Sequence, residues 1–217
     1  LAAALPAGGA PAPAGRPVVS ATRYGIAIPG EVCYVARVFP APRHNEPGAP
    51  VVMVLANHLG DGLLYQRIRV EGGAYGGFSV YSPSLGQFAM LSYRDPNLEK
   101  TVDIYDRCLD EFLAEELDQD TVDKAIIGTV ADLDRPMDPA TRGLAALERR
   151  LAGLTDDARR RFKEAVLTTT AEAMKGGARE ILCAAAPEAR QAVLAPRERI
   201  EAANGVLPEP FEIIGLE

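Results

Sequence analysis

The spacing of apolar residues changes once along the chain, and this change limits which fold classes the chain can adopt. In residues 73–81 and 87–94, apolar residues alternate with polar or small ones, which is typical of β-strands. From residue 97 to residue 175, the apolar residues recur three or four positions apart, which is typical of helices. Strands followed by a run of helices predict an α+β domain, in which the helices pack against one face of an antiparallel sheet.

Turn and capping residues divide this pattern into individual elements. Pro29-Gly30 predicts a turn between the two strands of a hairpin over residues 18–39, and residues 82–86 predict the turn of a second hairpin. About four helices are expected, with breaks near Leu117, residues 134–138 and Gly153. The other predicted elements are an amphipathic helix over residues 51–70, short closing strands at residues 180–185 and 211–214, a short helix at residues 196–204, and a helix N-cap at Thr155.

Composition and charge exclude several classes of partner. The 217 residues carry 23 Lys and Arg against 30 Asp and Glu, and a net charge of −7 argues against a nucleic-acid partner. The apolar stretches stop well short of the ~20 residues that cross a bilayer, so no membrane span is expected. Residues 1–17 are mostly Ala, Gly and Pro, which predicts a linker ahead of one domain over residues 18–217. We therefore expect a piece of a longer polypeptide. Its three cysteines form no C-x-x-C pair and no disulfide framework, which fits a reducing compartment. We therefore expect the protein in the cytoplasm.

The sequence lacks the motifs of common catalytic centres. Zinc sites often take two His from one helical turn, but His44 and His58 each lack a His partner at i+4, so neither is expected to bind a metal. The chain also contains neither a G-x-S-x-G elbow nor a glycine-rich phosphate motif. The glycines of residues 72–77 follow a predicted helix and open a strand, so no helix N-terminus faces them.

Residues 67–77, between the predicted helix and the second hairpin, offer hydrogen-bond donors to a ligand. Arg69 falls outside the apolar stripe of the helix, so its side chain is expected to leave the core at the helix end. In the strand that follows, we expect Phe78 and Val80 to enter the core, which would turn Tyr75 outward. Four glycines surround Tyr75 and remove side chains that would keep another backbone away: Gly72, Gly73, Gly76 and Gly77.

A guanidinium and a phenol that converge in this way could both address one peptide. Arg69 would donate a fork of hydrogen bonds to carbonyls, and Tyr75 would donate one O–H to a carbonyl or to its tetrahedral oxyanion. A helix-to-strand turn that needs glycine, with a surface Arg and a half-buried Tyr, explains the same spacing without any ligand. The spacing alone leaves both explanations open.

Three strings of residues resemble the C-terminal domain of presequence proteases. They are Arg67-Ile68-Arg69-Val70-Glu71-Gly72-Gly73-Ala74-Tyr75-Gly76-Gly77-Phe78, Leu91-Ser92-Tyr93-Arg94-Asp95-Pro96-Asn97-Leu98 and Lys124-Ala125-Ile126-Ile127-Gly128-Thr129. The resemblance runs in order from about residue 18 to the C-terminus. The chain is thereby identified as a member of a branch of the inverted-zincin peptidases that includes insulin-degrading enzyme and pitrilysin.

The resemblance implies one repeat unit of a bacterial zinc metalloendopeptidase, in which four similar α+β domains close around a peptide chamber. It places zinc, held by an inverted H-x-x-E-H helix, in the N-terminal domain, so this chain is expected to hold no cofactor and to be inactive alone. It also implies that Arg69 and Tyr75 hold the substrate backbone and stabilise the transition state. The four glycines would keep the chamber wall thin beside the scissile bond. The implied partners are a peptide substrate and the zinc-bearing N-terminal domains of the same parent chain.

Two other functions stay open at this point. Inactive subunits of the same superfamily act as structural or partner-binding domains, and a chain without a zinc motif fits that role as well. An independent enzyme that uses His58, Asp61 and Arg69 is the third alternative. An isolated domain of a larger enzyme is also expected to be able to form a homodimer through the surface that its neighbours normally cover.

Overall fold

The computed structural model describes residues 21–215, which form a six-stranded sheet and seven α-helices. The strands are β1 Arg23–Ala27, β2 Tyr34–Pro40, β3 Gly76–Ser82, β4 Gln87–Tyr93, β5 Arg190–Ala195 and β6 Glu212–Gly215. The α-helices are α1 Ala49–Leu59, α2 Glu99–Ala114, α3 Gln119–Leu133, α4 Pro139–Leu151, α5 Asp156–Leu167, α6 Ala171–Gly177 and α7 Arg197–Asn204. Two π-helical segments, Gly60–Val70 and Ala178–Cys183, directly continue α1 and α6, and a 3₁₀ turn spans Ala186–Glu188. The predicted linker, residues 1–17, lies outside the described residues.

The sheet has the strand order β3-β4-β2-β5-β1-β6 and is mixed. Neighbouring strands from β3 to β5 are antiparallel, whereas β1 runs parallel to both β5 and β6. The α+β class is therefore confirmed, with two parallel pairs in a sheet that was expected to be antiparallel. No α-helix within residues 21–215 is long and apolar enough to span a bilayer.

The first predicted hairpin is wrong, because β5 lies between β1 and β2. The backbone N–H of Ile28 continues the ladder with β5 by donating to Ala195 O at 3.0 Å. Cys33 then exchanges two backbone hydrogen bonds with Asp95, each 2.8 Å long, and so directs the chain into β2 beside the end of β4. Alternation and Pro29-Gly30 marked the strand ends correctly but carry no information about which strands pair.

The predicted closing strand at residues 180–185 is also wrong, since this segment is helical, with the π-helical turn Ala178–Cys183, and the strand is β5. Ala178 and Leu182 are fully buried four positions apart, which is a helical pattern of burial. Burial in β5 instead alternates, with Gln191 and Val193 turned inward. The other sequence predictions of elements are confirmed: the second hairpin, the helix over residues 51–70, the breaks in the helical region, the Thr155 cap, the short helix at residues 196–204 and the last strand.

All the helices that contact the core lie on one face of the sheet, as predicted. Alternate strand residues such as Val35, Phe88 and Met90 are buried on that face, and Leu55 of α1 and Phe112 of α2 are buried against it. The opposite face of the sheet carries exposed apolar side chains, among them those of Phe78, Val80, Tyr93 and Leu194. The core therefore fills one side of the sheet, and the edge strand β3 lies next to the end of the π-helical segment Gly60–Val70.

Helix α4 is the exception to this packing, because none of its residues is buried. Its apolar stripe consists of Leu144, Leu147 and Leu151, and all three side chains are exposed. Spacings of three and four residues place these leucines on one face of the helix. A helix that is this amphipathic usually buries its apolar face against a neighbour, so the described residues leave this surface unpartnered.

Candidate functional site

Arg69 lies one residue before the end of the π-helical segment Gly60–Val70. The wider winding of this segment is visible at its end, where the backbone N–H of Glu71 donates to Gln66 O, five residues earlier, at 2.9 Å. The Arg69 guanidinium carbon lies 5.2 Å from the centre of the Tyr65 ring, a cation–π contact that directs it along the outside of the helix. The expectation that Arg69 leaves the core is confirmed. Irregular π-helical turns of this kind are frequent at functional sites.

The chain turns from this helix into β3 through residues 71–75. The backbone N–H groups of Gly73 and Ala74 donate to Arg69 O and Ile68 O, both at 3.1 Å, and close the helix end. Gly73 adopts a φ of +76°, which favours glycine. Asn97 holds the same turn from outside, since its Nδ2 donates to Gly72 O at 2.6 Å.

Tyr75 occupies the bend before β3 and is 69% exposed. Its backbone N–H donates to Arg94 O at 3.4 Å, and its ring contacts the Tyr93 ring edge-on, with 5.8 Å between the centroids. Tyr93 is itself supported by Tyr34 at 5.4 Å. The phenol is therefore held by aromatic contacts on one side and open to solvent on the other.

The reason predicted for this outward position is wrong. Phe78 and Val80 are exposed, and the alternate residues Gly77 and Tyr81 are buried instead. Gly77 determines which alternate residues of β3 face the core, because an added Cβ there would lie 2.5 Å from the Cβ of Ile68. A glycine inside the helix–strand contact carries no apolar signal, so the sequence pattern assigned the wrong face. Tyr75 turns outward because it precedes the strand.

Arg69 and Tyr75 line the same open depression, of about 600 Å³. Its other walls are Val32, Gly73, Ala74 and Arg94. The sequence-predicted pair is therefore brought together at one surface, and both side chains are outside the hydrophobic interior.

Arg94 is a residue of this depression that the sequence reasoning missed. Within residues 21–215 it is the one non-glycine residue with a positive φ, +49°. Asp95 and Asn97 hold the backbone there, because the buried Asp95 carboxylate accepts from Thr101 Oγ1 at 2.6 Å and from the Asn97 N–H at 2.8 Å. A non-glycine residue in this region costs free energy and is often found at functional sites. The sequence signal that could have pointed to Arg94 is its position within residues 91–98, the second of the three segments that resemble presequence proteases.

The depression offers hydrogen-bond donors without a general base. Among the described residues, neither the Arg69 nor the Arg94 guanidinium forms an ion pair, whereas Arg67 pairs with Glu71 at 3.3 Å and with Glu111 at 3.2 Å. These two acids raise the pKa of Arg67, chiefly through the hydrogen bond with Glu71. Two guanidinium groups and a phenol can hold carbonyls and stabilise an oxyanion, but they cannot activate a nucleophile.

The other residues singled out from the sequence lie elsewhere or have internal contacts. His58 Nε2 lies 3.1 Å from Glu115 Oε2, and neither His58 nor Asp61 lines the depression. Gly73 does line it. Gly72 and Gly77 have packing reasons of their own, because a Cβ on either would lie within 2.5 Å of Ile68. An added Cβ at Gly76 would lie 3.3 Å from the Phe78 ring, so that ring would have to shift slightly to make room. A role of these glycines toward a substrate stays a prediction.

Replacing Asn97 with Ala should loosen the turn that presents Tyr75. The change removes the bond to Gly72 O, and we expect a loss of about 0.5–1.5 kcal/mol in the free energy of unfolding. Hydrogen exchange should become faster at the amides of Gly73, Ala74 and Tyr75. The matched control is Asn45→Ala, which truncates an exposed asparagine in another loop. Equal exchange rates in the two variants at these three amides would contradict this role for Asn97.

Comparison with known proteins gives a consistent result. The PreP C-terminal domain family matches residues 25–194. Presequence protease 1 of Arabidopsis thaliana, named as chloroplastic/mitochondrial, is 39% identical over 87% of this chain and 17% of its own length. The chain thus spans about a sixth of that relative. Among solved structures, an inactive peptidase M16 domain from Pseudomonas fluorescens matches 88% of this chain and 45% of its own, with 17% identity and a TM-score of 0.63. A Helicobacter pylori protease matches 81% of this chain and 44% of its own, with 15% identity and a TM-score of 0.65. These two structures show a shared fold.

Proposed function

The chain belongs to the PreP C-terminal domain family, and on that premise we propose that it is the substrate-binding C-terminal domain of a zinc metalloendopeptidase. In this proposal the parent enzyme degrades peptides inside a closed chamber. The described residues of this chain carry no zinc site, and the chain contributes Arg69 and Tyr75 to a composite active site. It is therefore inactive alone.

The observation that carries the proposal is the shared depression of Arg69 and Tyr75. A surface that only joins a helix to a strand has no need for two exposed guanidinium groups without an acid partner beside an exposed phenol. An extended peptide presents a row of carbonyl oxygens, which would serve as hydrogen-bond acceptors for these donors. Gly73, which lines the depression, adds no side chain that would hinder the approach of a peptide backbone.

The residues that the structure describes do not fit a zinc ion. Within residues 21–215, no group of three or more His, Cys, Asp or Glu side chains is placed to hold a metal. We therefore assign zinc to the N-terminal domains of the parent, where it would supply an activated water. The steps assigned to this chain are that Arg69 donates to carbonyls of the bound peptide and that the Tyr75 O–H donates to the oxygen that becomes the oxyanion.

Truncation of Arg69 to Ala in the parent enzyme should lower kcat/KM about 10- to 100-fold. The expected loss is that of one charge-assisted hydrogen bond, and it is measured by initial rates with a peptide substrate. The matched control is Arg67→Ala, which removes the same charge two residues earlier from a side chain engaged by Glu71 and Glu111. We expect the control to stay within about twofold of the wild type, since exposed ion pairs contribute little. An equal loss in both variants would show that only the net charge matters.

The partners follow from the same proposal. We propose that the zinc-bearing domains of the parent cover the apolar stripe of α4, because most of a relative's length lies outside this chain. The exposed leucines of that stripe equally favour the second candidate function, a non-catalytic structural or partner-binding domain. They also leave room for a homodimer of the isolated chain. Bacterial origin, a cytoplasmic location and the lack of a nucleic-acid partner stay predictions, and the Arabidopsis relative is named as chloroplastic/mitochondrial.

A further inference from the structure

A second cavity, far along the sheet from Tyr75, is lined by three arginines. It measures about 550 Å³ and opens where β1, β5 and β2 lie side by side. Arg23 pairs with Gln191 in the register of β1 and β5, and Gln191 pairs with Arg37 in the register of β5 and β2. The side chains of Arg23, Gln191 and Arg37 are therefore neighbours on the helix-covered face of the sheet. Arg190 contributes the third guanidinium group to the lining.

Arg23 is buried without adequate hydrogen-bond partners. The residue is 8% exposed, and the pKa of its guanidinium is lowered chiefly by burial and then by the charge of Arg37. Its ion pair with Glu209 is long, with 3.8 Å between Nη1 and Oε2, and its guanidinium carbon lies over the Phe211 ring, 4.5 Å from the ring centre. Within residues 21–215, its Nε and Nη2 atoms have no hydrogen-bond partner. Those two nitrogens form one edge of the guanidinium, whose parallel N–H bonds match the two oxygens of a carboxylate.

Gln191 also lines this cavity and has further unused donors. It is 4% exposed, and its Oε1 accepts from Arg37 Nη2 at 3.1 Å. Its Nε2, however, is buried without a partner in the part of the chain that the structure describes. Arg37 is already engaged, because it also pairs with Asp106. Of the four buried side-chain nitrogen and oxygen atoms without a hydrogen bond in residues 21–215, three belong to Arg23 and Gln191, and all three are donors.

A single water is a poor partner for this set. Nε carries one N–H and each of the other two nitrogens carries two, whereas a water accepts only about two hydrogen bonds. A buried cation also requires negative charge nearby. Of the two acids that line the cavity, Asp106 is already paired with Arg37 and Glu209 is mostly exposed. Three arginines against these two acids leave one positive charge, which matches a monoanion better than a divalent phosphate.

We propose that this cavity is a carboxylate-binding site, in which Arg23 holds the two oxygens of the carboxylate through Nε and Nη2 while Gln191 Nε2 donates to one of them. The carboxylate belongs either to a small molecule or to an acidic side chain of the parent chain. The site is independent of the peptide-binding role proposed for Arg69 and Tyr75.

The test is the thermal unfolding of this chain in sodium acetate and in sodium chloride at equal ionic strength. Acetate should raise the unfolding midpoint in a saturable way, because at ten times the dissociation constant a ligand raises the folded-to-unfolded ratio about elevenfold. Chloride should not. Two variants should abolish the acetate response. Arg23→Met removes the paired N–H donors of Nε and Nη2, and Gln191→Glu places a carboxylate in the cavity permanently. The second variant should also unfold at a higher temperature than the wild type without acetate.

The control variant is Arg142→Gln, which removes one exposed positive charge from α4 and should keep the full acetate response. Equal responses to acetate and chloride in the wild type would overturn the proposal, and so would an acetate response that survives both in Arg23→Met and in Gln191→Glu. The same titration on the parent enzyme distinguishes the two sources. A response in both proteins assigns the site to a free carboxylate, and a response in this chain alone assigns it to a side chain of the parent.

Discussion

Replacing Tyr75 with Phe in the parent enzyme is expected to lower kcat about 10²–10³-fold while leaving KM nearly unchanged. The substitution keeps the ring and its edge-on contact with Tyr93 and removes only the O–H. A donor that strengthens its hydrogen bond as the carbonyl becomes an oxyanion acts in the transition state, so its loss falls on kcat. The measurement is steady-state kinetics with a peptide that is cleaved at one bond.

The matched control for this prediction is Tyr93→Phe. It removes a phenol O–H one ring away, from a side chain that does not line the depression. Its kcat should stay close to that of the wild type. A Tyr75→Phe enzyme with an unchanged kcat would favour the non-catalytic function, and equal losses in the two variants would show that the effect comes from disturbed packing.

Replacing Gly77 with Ala should destabilise the fold by about 1–3 kcal/mol, the usual cost of an overpacked contact. The new Cβ would lie 2.5 Å from the Cβ of Ile68 and 2.8 Å from the backbone oxygen of Leu64. Backbone atoms yield only if the π-helical segment Gly60–Val70 moves away from β3. Since that segment carries Arg69, we also expect a loss of kcat/KM beyond that of an equally stable variant. Urea denaturation of this chain measures the first effect.

Gly62→Ala is the control for Gly77→Ala. Gly62 lies in the same helical segment, and an added Cβ there meets nothing within 4 Å. Alanine should therefore raise the free energy of unfolding by up to about 1 kcal/mol, because it favours the helix. If both variants were equally stable, Gly77 of β3 and Ile68 of the helix would not be in close contact.

The sequence predicts much of this fold because most of its elements depend on local signals. The 3.6-residue period located the helices, the Thr155 side chain marked an N-cap, and residues 82–86 marked a real hairpin turn. The pairing of β1 with β5 joins residues more than 160 positions apart, and no local pattern encodes it. For the same reason, the meeting of Arg23 and Gln191 could not be read from their neighbours in sequence.

The candidate site could be predicted only in part, because some of its residues are placed by local sequence signals and others by tertiary contacts. The exposure of Arg69 could be predicted because its position outside the apolar stripe of an amphipathic helix is a sequence property. The exposure of Tyr75 was predicted as well, but from the wrong face of β3. The inward face of β3 was predicted wrongly because Gly77, the residue that contacts Ile68, has no side chain to signal it. Arg94 was missed because its place in the depression depends on a positive φ fixed by the buried Asp95.

The most direct test of the proposed role is the structure of the parent enzyme with an uncleaved peptide in its chamber, obtained after its metal has been removed by chelation. We predict that the Tyr75 hydroxyl and the Arg69 guanidinium each lie about 2.7–3.2 Å from carbonyl oxygens of the same peptide. The same structure would show whether other domains cover the leucines of α4. A peptide held in the chamber with both side chains beyond hydrogen-bonding reach would contradict the account.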